Sequence, residues 1–232
     1  MKGFFDNLGF FASRFNQAIV ITIELSIISL IAATIIGIIV GLVNTSKSKS
    51  VIMKILKAIA NLYIYIIRGT PMLVQILIIY FGLGQMLRPT GFRWLNIGGT
   101  FTAGTVALSL NAGAYMAEIV RGGIEAVDKG QIEAARSLGL TYGKTMKKIV
   151  LPQALRTMLP SIINQFIISI KDTSLLSFIG LAELTNVGKT IAATQSAHMM
   201  VIYCFMACYY LFICTVLAQV SKVVEKRLSY GK

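Results

Sequence analysis

The sequence is poor in charged residues. Only 13% of its 232 residues are Asp, Glu, Lys or Arg, and 56% are hydrophobic, whereas a typical soluble domain carries about 25% charged residues. This deficit excludes an ordinary water-soluble domain and indicates a membrane protein. The net charge of +13 would favour nucleic acid as a partner of a soluble chain. In a membrane protein it reflects Lys and Arg on the cytoplasmic side, so we expect no nucleic-acid partner.

Residues that carry enzyme chemistry are also scarce. There is one histidine, His198, and the three cysteines, Cys204, Cys208 and Cys214, fall within a single apolar run. They lack the spaced partners of a zinc site, and a disulfide framework is implausible there. Because no nucleophile stands beside a base and no metal cluster or cofactor loop occurs, we expect no enzyme activity, no metal and no cofactor bound by this chain.

Long apolar stretches, by contrast, are abundant. A transmembrane helix needs about 20 mainly apolar residues, and five stretches provide them: 18–43, 58–87, 101–120, 160–179 and 199–219. The sequence therefore predicts one all-α membrane domain over 18–220, followed by a cytoplasmic tail at 221–232. Residues 1–17 are aromatic and weakly amphipathic, which favours a position along the membrane interface. Pro160 suits the first turn of the fourth helix.

Positive charge is divided unevenly between the connections. Fifteen Lys and Arg residues lie between spans one and two, between spans three and four, and in the tail, whereas six lie on the opposite side. Loops rich in Lys and Arg stay in the cytoplasm. We therefore expect the N-terminus outside, the C-terminus in the cytoplasm, and one long cytoplasmic loop at about 121–157.

This loop contains the sequence GLTYGKT at 139–145, which superficially matches a phosphate-binding P-loop. Three residues separate its glycines instead of four, and helix formers precede it where a P-loop has a β-strand. We therefore expect this chain not to bind ATP. The pattern instead predicts two short helices joined at Gly139, because glycine tolerates a sharp turn at the end of a helix.

The loop carries a more specific pattern, which resembles the EAA signature of ATP-binding-cassette (ABC) importer permeases. It consists of Glu133, Ala134, Ala135, then Gly139 after three residues, Ile149 after nine more, and Leu151 with Pro152. The flanking stretches RGTPMLVQ, AYMAEIVRGGIEAVDKGQIEAA and NQFIISIKDTSLLSFIGLAEL are similar to the polar amino acid branch of that family. The resemblance extends over about residues 18–220.

The resemblance implies a permease subunit of an amino acid importer in the bacterial plasma membrane. The loop would couple it to a separate ATPase dimer, which holds ATP and Mg²⁺. A second permease subunit, identical or similar, would complete the channel, and an extracytoplasmic binding protein would deliver the amino acid. In the loop, Glu133 would pair with a basic group of the ATPase, the small Ala134 and Ala135 would permit close approach, and Pro152 would end the second helix.

Polar residues line one face of two predicted spans. Asn111, Tyr115 and Glu118 follow helical spacing in the third span, and a second set does so in the fourth: Ser161, Gln165, Ser169 and Asp172. Such stripes suit a hydrophilic translocation pathway. They also suit hydrogen bonding between helices, and the sequence leaves both interpretations open.

Two further charges have alternative interpretations. Glu24 lies among isoleucines in the first span, where it either contacts a substrate or reaches the outer interface. Arg68 precedes Pro71. It lies deep and paired if 58–67 is embedded, and is an ordinary surface residue if the span begins near Pro71. Exposed Glu24 or Glu118 would favour a cationic amino acid, whereas glutamine, glutamate and cystine remain open.

Two other function classes fit the sequence less well. An integral membrane enzyme needs a catalytic constellation, which is lacking. An ATP-independent secondary transporter or channel predicts inverted repeats or a selectivity filter, and neither is recognisable. It would also leave the EAA signature without a role.

Overall fold

A computed structural model describes residues 8–229, and these residues form helices and connecting turns without a β-strand. The helices are α1 (Leu8–Thr45), α2 (Val51–Gly69), α3 (Met72–Leu77), α4 (Gly99–Glu125), α5 (Lys129–Ser137), α6 (Tyr142–Thr145), α7 (Leu151–Asp172), α8 (Leu184–Thr194) and α9 (Met199–Ser229). A π-helical segment, Ile78–Leu83, and a short helix, Gly84–Met86, extend α3. A second π-helical segment, Met146–Val150, joins α6 to α7, and a 3-10 helix, Thr173–Ile179, follows α7.

Within residues 8–229, three helical elements are long and apolar enough to cross a membrane: Gly9–Thr45, Tyr142–Ile179 and Ser196–Arg227. Helix α2 and the segment Met72–Met86, which begins with α3, form a fourth candidate span if they are counted together. A break between them bends the pair by 111°. The stretch 101–120, expected as the third span, lies in α4, which is not one of these elements. Fourteen of the 27 residues of α4 are buried, so the protein itself surrounds much of this helix, and its small and polar residues suit that position.

The N-terminal segment differs from the expectation where the structure describes it. Residues 8–17 belong to the same helix as the first span, and two of their three aromatic side chains pack against the protein. Phe11 and Phe15 are buried in a cluster with Leu184 and Ile202. Residues 1–7 of the expected interfacial segment and 230–232 of the tail lie outside the described residues.

Two prolines do not mark helix ends as expected. Pro160 lies inside α7 and Pro152 in its first turn, so the expectations that Pro160 begins a helix and that Pro152 ends one are wrong. The second arm of the loop and the fourth span form one helical element, Tyr142–Ile179. The π-helical turn directly before Pro152 shifts the hydrogen-bond register, which accommodates a residue that lacks an N–H group.

Helices α1 and α4 pack closely through glycine. A Cβ atom added at Gly41 would lie 2.7 Å from Val120 Cγ1 and 2.9 Å from the Ala117 carbonyl oxygen. Gly37 meets Met116 in the same way. Small residues permit close helix approach where the surrounding lipid supplies no hydrophobic driving force, so this contact fixes α4 against α1.

A buried carboxylate fastens α8 to its neighbours. The fully buried Glu183 accepts hydrogen bonds from the backbone N–H groups of Thr185 (2.8 Å) and Asn186 (2.7 Å) and from the Tyr210 hydroxyl (3.0 Å). The next backbone N–H, of Leu184, donates to Thr22 Oγ1 at 3.2 Å. Glu183 thus caps α8 and ties it to α9, while Thr22 ties it to α1.

We expect Gly41→Ala to destabilise the protein by about 1–3 kcal/mol, because the added methyl group meets the backbone of α4 in a packed contact. Gly122→Ala is the matched control, since Gly122 also lies in a helix but an added Cβ would touch nothing within 4 Å. Thermal unfolding in detergent compares the two variants. Equal unfolding midpoints would contradict the packing role of Gly41.

Candidate translocation pathway and coupling loop

A cavity of about 520 Å³ lies beside α4 and α7. We call it the loop-proximal cavity, because its residues lie on the half of α4 that leads into the 121–157 loop. Its lining comprises Arg68, Tyr115, Glu118, Ile119, Pro160, Ser161, Asn164, Gln165 and Glu225. Its size falls within the range of about 300–1,000 Å³ typical of small-molecule sites.

A second cavity of about 380 Å³ lies further along the same two helices. This loop-distal cavity is lined by Thr70, Pro71, Met72, Asn111, Tyr115, Gln165, Ile168 and Asp172. Tyr115 and Gln165 line both cavities. The two cavities therefore share a wall and follow one another along α4 and α7.

The structure brings together most of the polar residues singled out for a pathway. Six of the eight line one cavity or both: Asn111, Tyr115, Glu118, Ser161, Gln165 and Asp172. Ser169 is buried at 1% exposure and lines neither cavity. Glu24 also lines neither, and is exposed on a face of α1 that carries exposed Ile27, Ile28 and Ile31.

Gln75 holds the break between α2 and α3 in place. Its Nε2 group donates to the carbonyl oxygens of Ile67 (2.8 Å) and Thr70 (3.0 Å) and to Thr70 Oγ1 (2.8 Å). Its Oε1 atom accepts from Asn111 Nδ2 at 2.9 Å. Asn111 therefore acts both as a link between helices and as a cavity residue, so the two interpretations of the stripe are compatible. The role of Gln75 was not predicted from the sequence, although an amide one turn after RGTP at 68–71 could have indicated a partner for the carbonyl groups at the break.

A chain of alternating charges follows the loop-proximal half of α4. Arg68 pairs with Glu118 at 3.2 Å, Glu118 with Arg121 at 2.9 Å, and Arg121 with Glu125 at 2.7 Å. The Arg68 guanidinium also lies 5.5 Å from the centre of the Tyr115 ring, a distance suited to a cation–π interaction. Arg68 thus lies in the last turn of α2 and is paired with a carboxylate, while its side chain remains 44% exposed.

The loop forms two short arms with a sharp bend. Gly139 has a φ of +80°, a conformation that a side chain disfavours, and it follows Leu138, whose side chain is 84% exposed. The Arg136 side chain donates to the Leu140 carbonyl oxygen at 2.8 Å. The bend therefore presents a large apolar residue to the surroundings on a turn that the chain itself stabilises.

The loop is firmly attached to the helices that line the cavities. Val150 and Ala154 pack with Val120, Ile124 and Val127 at the end of α4. Gln153 Nε2 donates to Gln131 Oε1 at 2.6 Å, which joins the two arms. The loop is therefore packed against both α4 and α7.

The residues of the EAA signature divide into two groups. Glu133, Ala134, Gly139, Leu151 and Pro152 are exposed, whereas Ala135 is buried and Ile149 is half-buried. The small size of Ala135 thus serves packing within the loop, and only the exposed group remains accessible to another protein.

Residues 33–230 match the family described as "Binding-protein-dependent transport system inner membrane component". The chain belongs to this family. It is therefore a multi-pass membrane component of a transport system that works with a binding protein.

Relatives of this inner membrane component carry names from amino acid transport. The chain is 40% identical to the glutamine transport system permease protein GlnP of Escherichia coli strain K12 over 207 residues, which are 89% of each chain. It is 36% identical to the arginine transport system permease protein ArtQ of Bacillus subtilis strain 168 over 212 residues, 91% of each chain. A chain in the crystal structure of an amino acid ABC transporter with histidines has a TM-score of 0.84 and 34% identity, with 95% of this chain and 97% of that chain covered.

We expect Gln75→Leu to destabilise this inner membrane component, because it leaves the carbonyl groups at the α2–α3 break and the amide of Asn111 without their partner. Each buried polar group left unpaired costs about 1–3 kcal/mol. The measurement is thermal unfolding in detergent, with Gln85→Leu as the control, since the Gln85 side chain is exposed in the same helical segment. Equal midpoints for both variants would show that Gln75 does not hold the break.

Proposed function

We propose that the protein is the permease subunit of an ATP-driven importer for a polar amino acid. The observation that supports this most directly is that the two helices flanking the loop, α4 and α7, also line both cavities. The candidate pathway thus lies between the same two helices that the loop connects. The names of the relatives support an amino acid as the substrate.

The proposed topology has five spans, with the N-terminus outside and the C-terminus in the cytoplasm. Helix α4 serves as the third span despite its polar residues, because its neighbours shield them from lipid. The bent α2–α3 pair serves as the second span. The excess of Lys and Arg around the 121–157 loop and in the tail supports a cytoplasmic position for both.

The proposed assembly needs partners that supply energy and substrate. A second permease subunit, identical or similar, completes the pathway, and an extracytoplasmic binding protein delivers the amino acid. An ATPase dimer binds ATP and Mg²⁺ and receives the exposed bend of the loop. The permease itself has no enzyme activity in this scheme, since hydrolysis takes place on the partner.

The proposed mechanism is alternating access. Closure of the ATPase dimer on ATP displaces the bend at Leu138 and Gly139, and the packed cluster at Val150 transmits the displacement to α4 and α7. The cavity walls then move relative to the second permease subunit, which changes the side from which the pathway is open. ATP and the loaded binding protein each favour a different state of this equilibrium.

We expect Gly139→Val to uncouple transport from ATP hydrolysis, because a β-branched residue at positive φ strains the bend by about 1–3 kcal/mol. The assembled importer is reconstituted in vesicles, and the stimulation of ATPase activity by the loaded binding protein is measured. Gly143→Val is the control, because a Cβ at either glycine touches nothing within 4 Å but only Gly139 has a positive φ. Normal stimulation in Gly139→Val would refute the role of the bend.

We expect Asp172→Asn to lower ATP-dependent amino acid uptake about tenfold. This is the size of effect expected when one charge-assisted hydrogen bond between the loop-distal cavity and the substrate is lost. Glu24→Gln removes the same charge at a position that lines neither cavity and should retain uptake. Initial uptake rates in vesicles with equal amounts of assembled complex distinguish the two. The reverse pattern, with loss only in Glu24→Gln, would move the pathway to the outer face of α1.

A further inference from the structure

The loop-proximal cavity presents one positive and one negative group side by side. Arg68 and Glu118 lie 3.2 Å apart, and their side chains are 44% and 26% exposed. Both line the cavity together with Tyr115. A pair exposed to this extent gains little stability from its own attraction, so structural stabilisation alone is a weak explanation for placing two charges here.

A free amino acid carries the complementary pair of charges. Its α-carboxylate and α-ammonium groups are attached to one carbon atom and are present whatever the side chain. The planar guanidinium of arginine matches a carboxylate with two parallel hydrogen bonds, and a carboxylate oxygen accepts from an ammonium group. We propose that Arg68 binds the α-carboxylate and Glu118 the α-ammonium group of the amino acid in transit. This assignment rests on the proposed function.

The arrangement around Glu118 allows the pair to open without leaving a charge alone. Glu118 is also bonded to Arg121 by two hydrogen bonds, of 3.1 Å to Oε1 and 2.9 Å to Oε2. When the substrate carboxylate engages Arg68, Glu118 keeps Arg121 and gains the ammonium group. Arg68, Glu118 and Arg121 therefore each keep an oppositely charged partner with and without substrate.

The proposed pair recognises the part that all amino acids share. Specificity for the side chain must then reside elsewhere, in the binding protein or in the loop-distal cavity with Asn111 and Asp172. The loop-proximal site would be the last binding site before release, and it would bind only the α-carboxylate and α-ammonium groups. It should accordingly reject molecules that lack either charge.

The test uses the permease in complex with its ATPase partner in lipid nanodiscs, without nucleotide or binding protein. ATP-dependent uptake by the full importer first selects the best-transported member of L-glutamine, L-arginine and L-histidine. That amino acid and its α-carboxamide, which lacks the negative charge, are then titrated, and the shift in unfolding temperature gives their affinities. We expect the carboxamide to bind at least about tenfold more weakly, corresponding to one lost charge-assisted interaction.

The variants assign this preference to Arg68. In Arg68→Gln the ratio of the two affinities should fall to near one, whereas Arg68→Lys, which keeps the charge but loses the planar fork, should give an intermediate ratio. Arg88→Gln removes a positive charge that lines neither cavity and should keep the wild-type ratio. The comparison of two ligands within each variant separates recognition from a general loss of stability.

Two results would overturn the assignment. One is that Arg68→Gln keeps the wild-type ratio of the affinities for the amino acid and its α-carboxamide and changes only the ATPase activity. The ion pair would then be a structural contact between α2 and α4. The other is the absence of any shift with the transported amino acid in the wild-type complex. If wild-type ATP-dependent uptake is observed in either case, the permease function would stand and only the assignment of Arg68 and Glu118 would fall. Absence of uptake in the wild type would instead contradict the proposed function.

Discussion

A helix cannot break inside a membrane protein without freeing backbone carbonyl groups, and both cavities depend on such a break. With no water in the hydrocarbon region, each freed group needs a partner from the protein. Gln75 provides it, since one amide binds the carbonyls of Ile67 and Thr70 and also holds Asn111 on α4. The 111° bend is thereby fixed. It brings Arg68 to one cavity and Pro71 to the other.

The second requirement is a rigid connection from the loop to the cavity walls. The glycine contact with α1 fixes α4 at Met116, Ala117 and Val120, and the cluster around Val150 joins the start of α7 to the end of α4. Interiors packed in this way move as units and do not deform gradually. In the proposed mechanism, a force at the exposed Leu138 acts through this connection on Tyr115 and Gln165, which line both cavities.

Local properties were predictable from sequence, and properties that depend on neighbouring helices were not. The spacing of Tyr115 and Glu118 predicts a shared face because the helical period is fixed, and Gly139 predicts a bend because its backbone conformation is a property of that residue alone. The partner of Arg68 depends on the α2–α3 angle, which no periodicity encodes. Gln75 and Glu183 escaped notice for a similar reason, since a buried polar residue acquires its role only from the groups that fold against it.

In the proposed mechanism, the cavities belong to a pathway whose opening is controlled by ATP on a partner. The most direct measurement is the labelling of Asn164→Cys, a residue of the loop-proximal cavity, in a chain whose Cys204, Cys208 and Cys214 are replaced by serine. A membrane-impermeant thiol reagent is applied from the cytoplasmic side to the assembled importer, with and without trapped ATP. We predict rapid labelling without nucleotide and strong protection when ATP is trapped. Labelling at the same rate in both states would contradict a pathway whose opening is controlled by ATP.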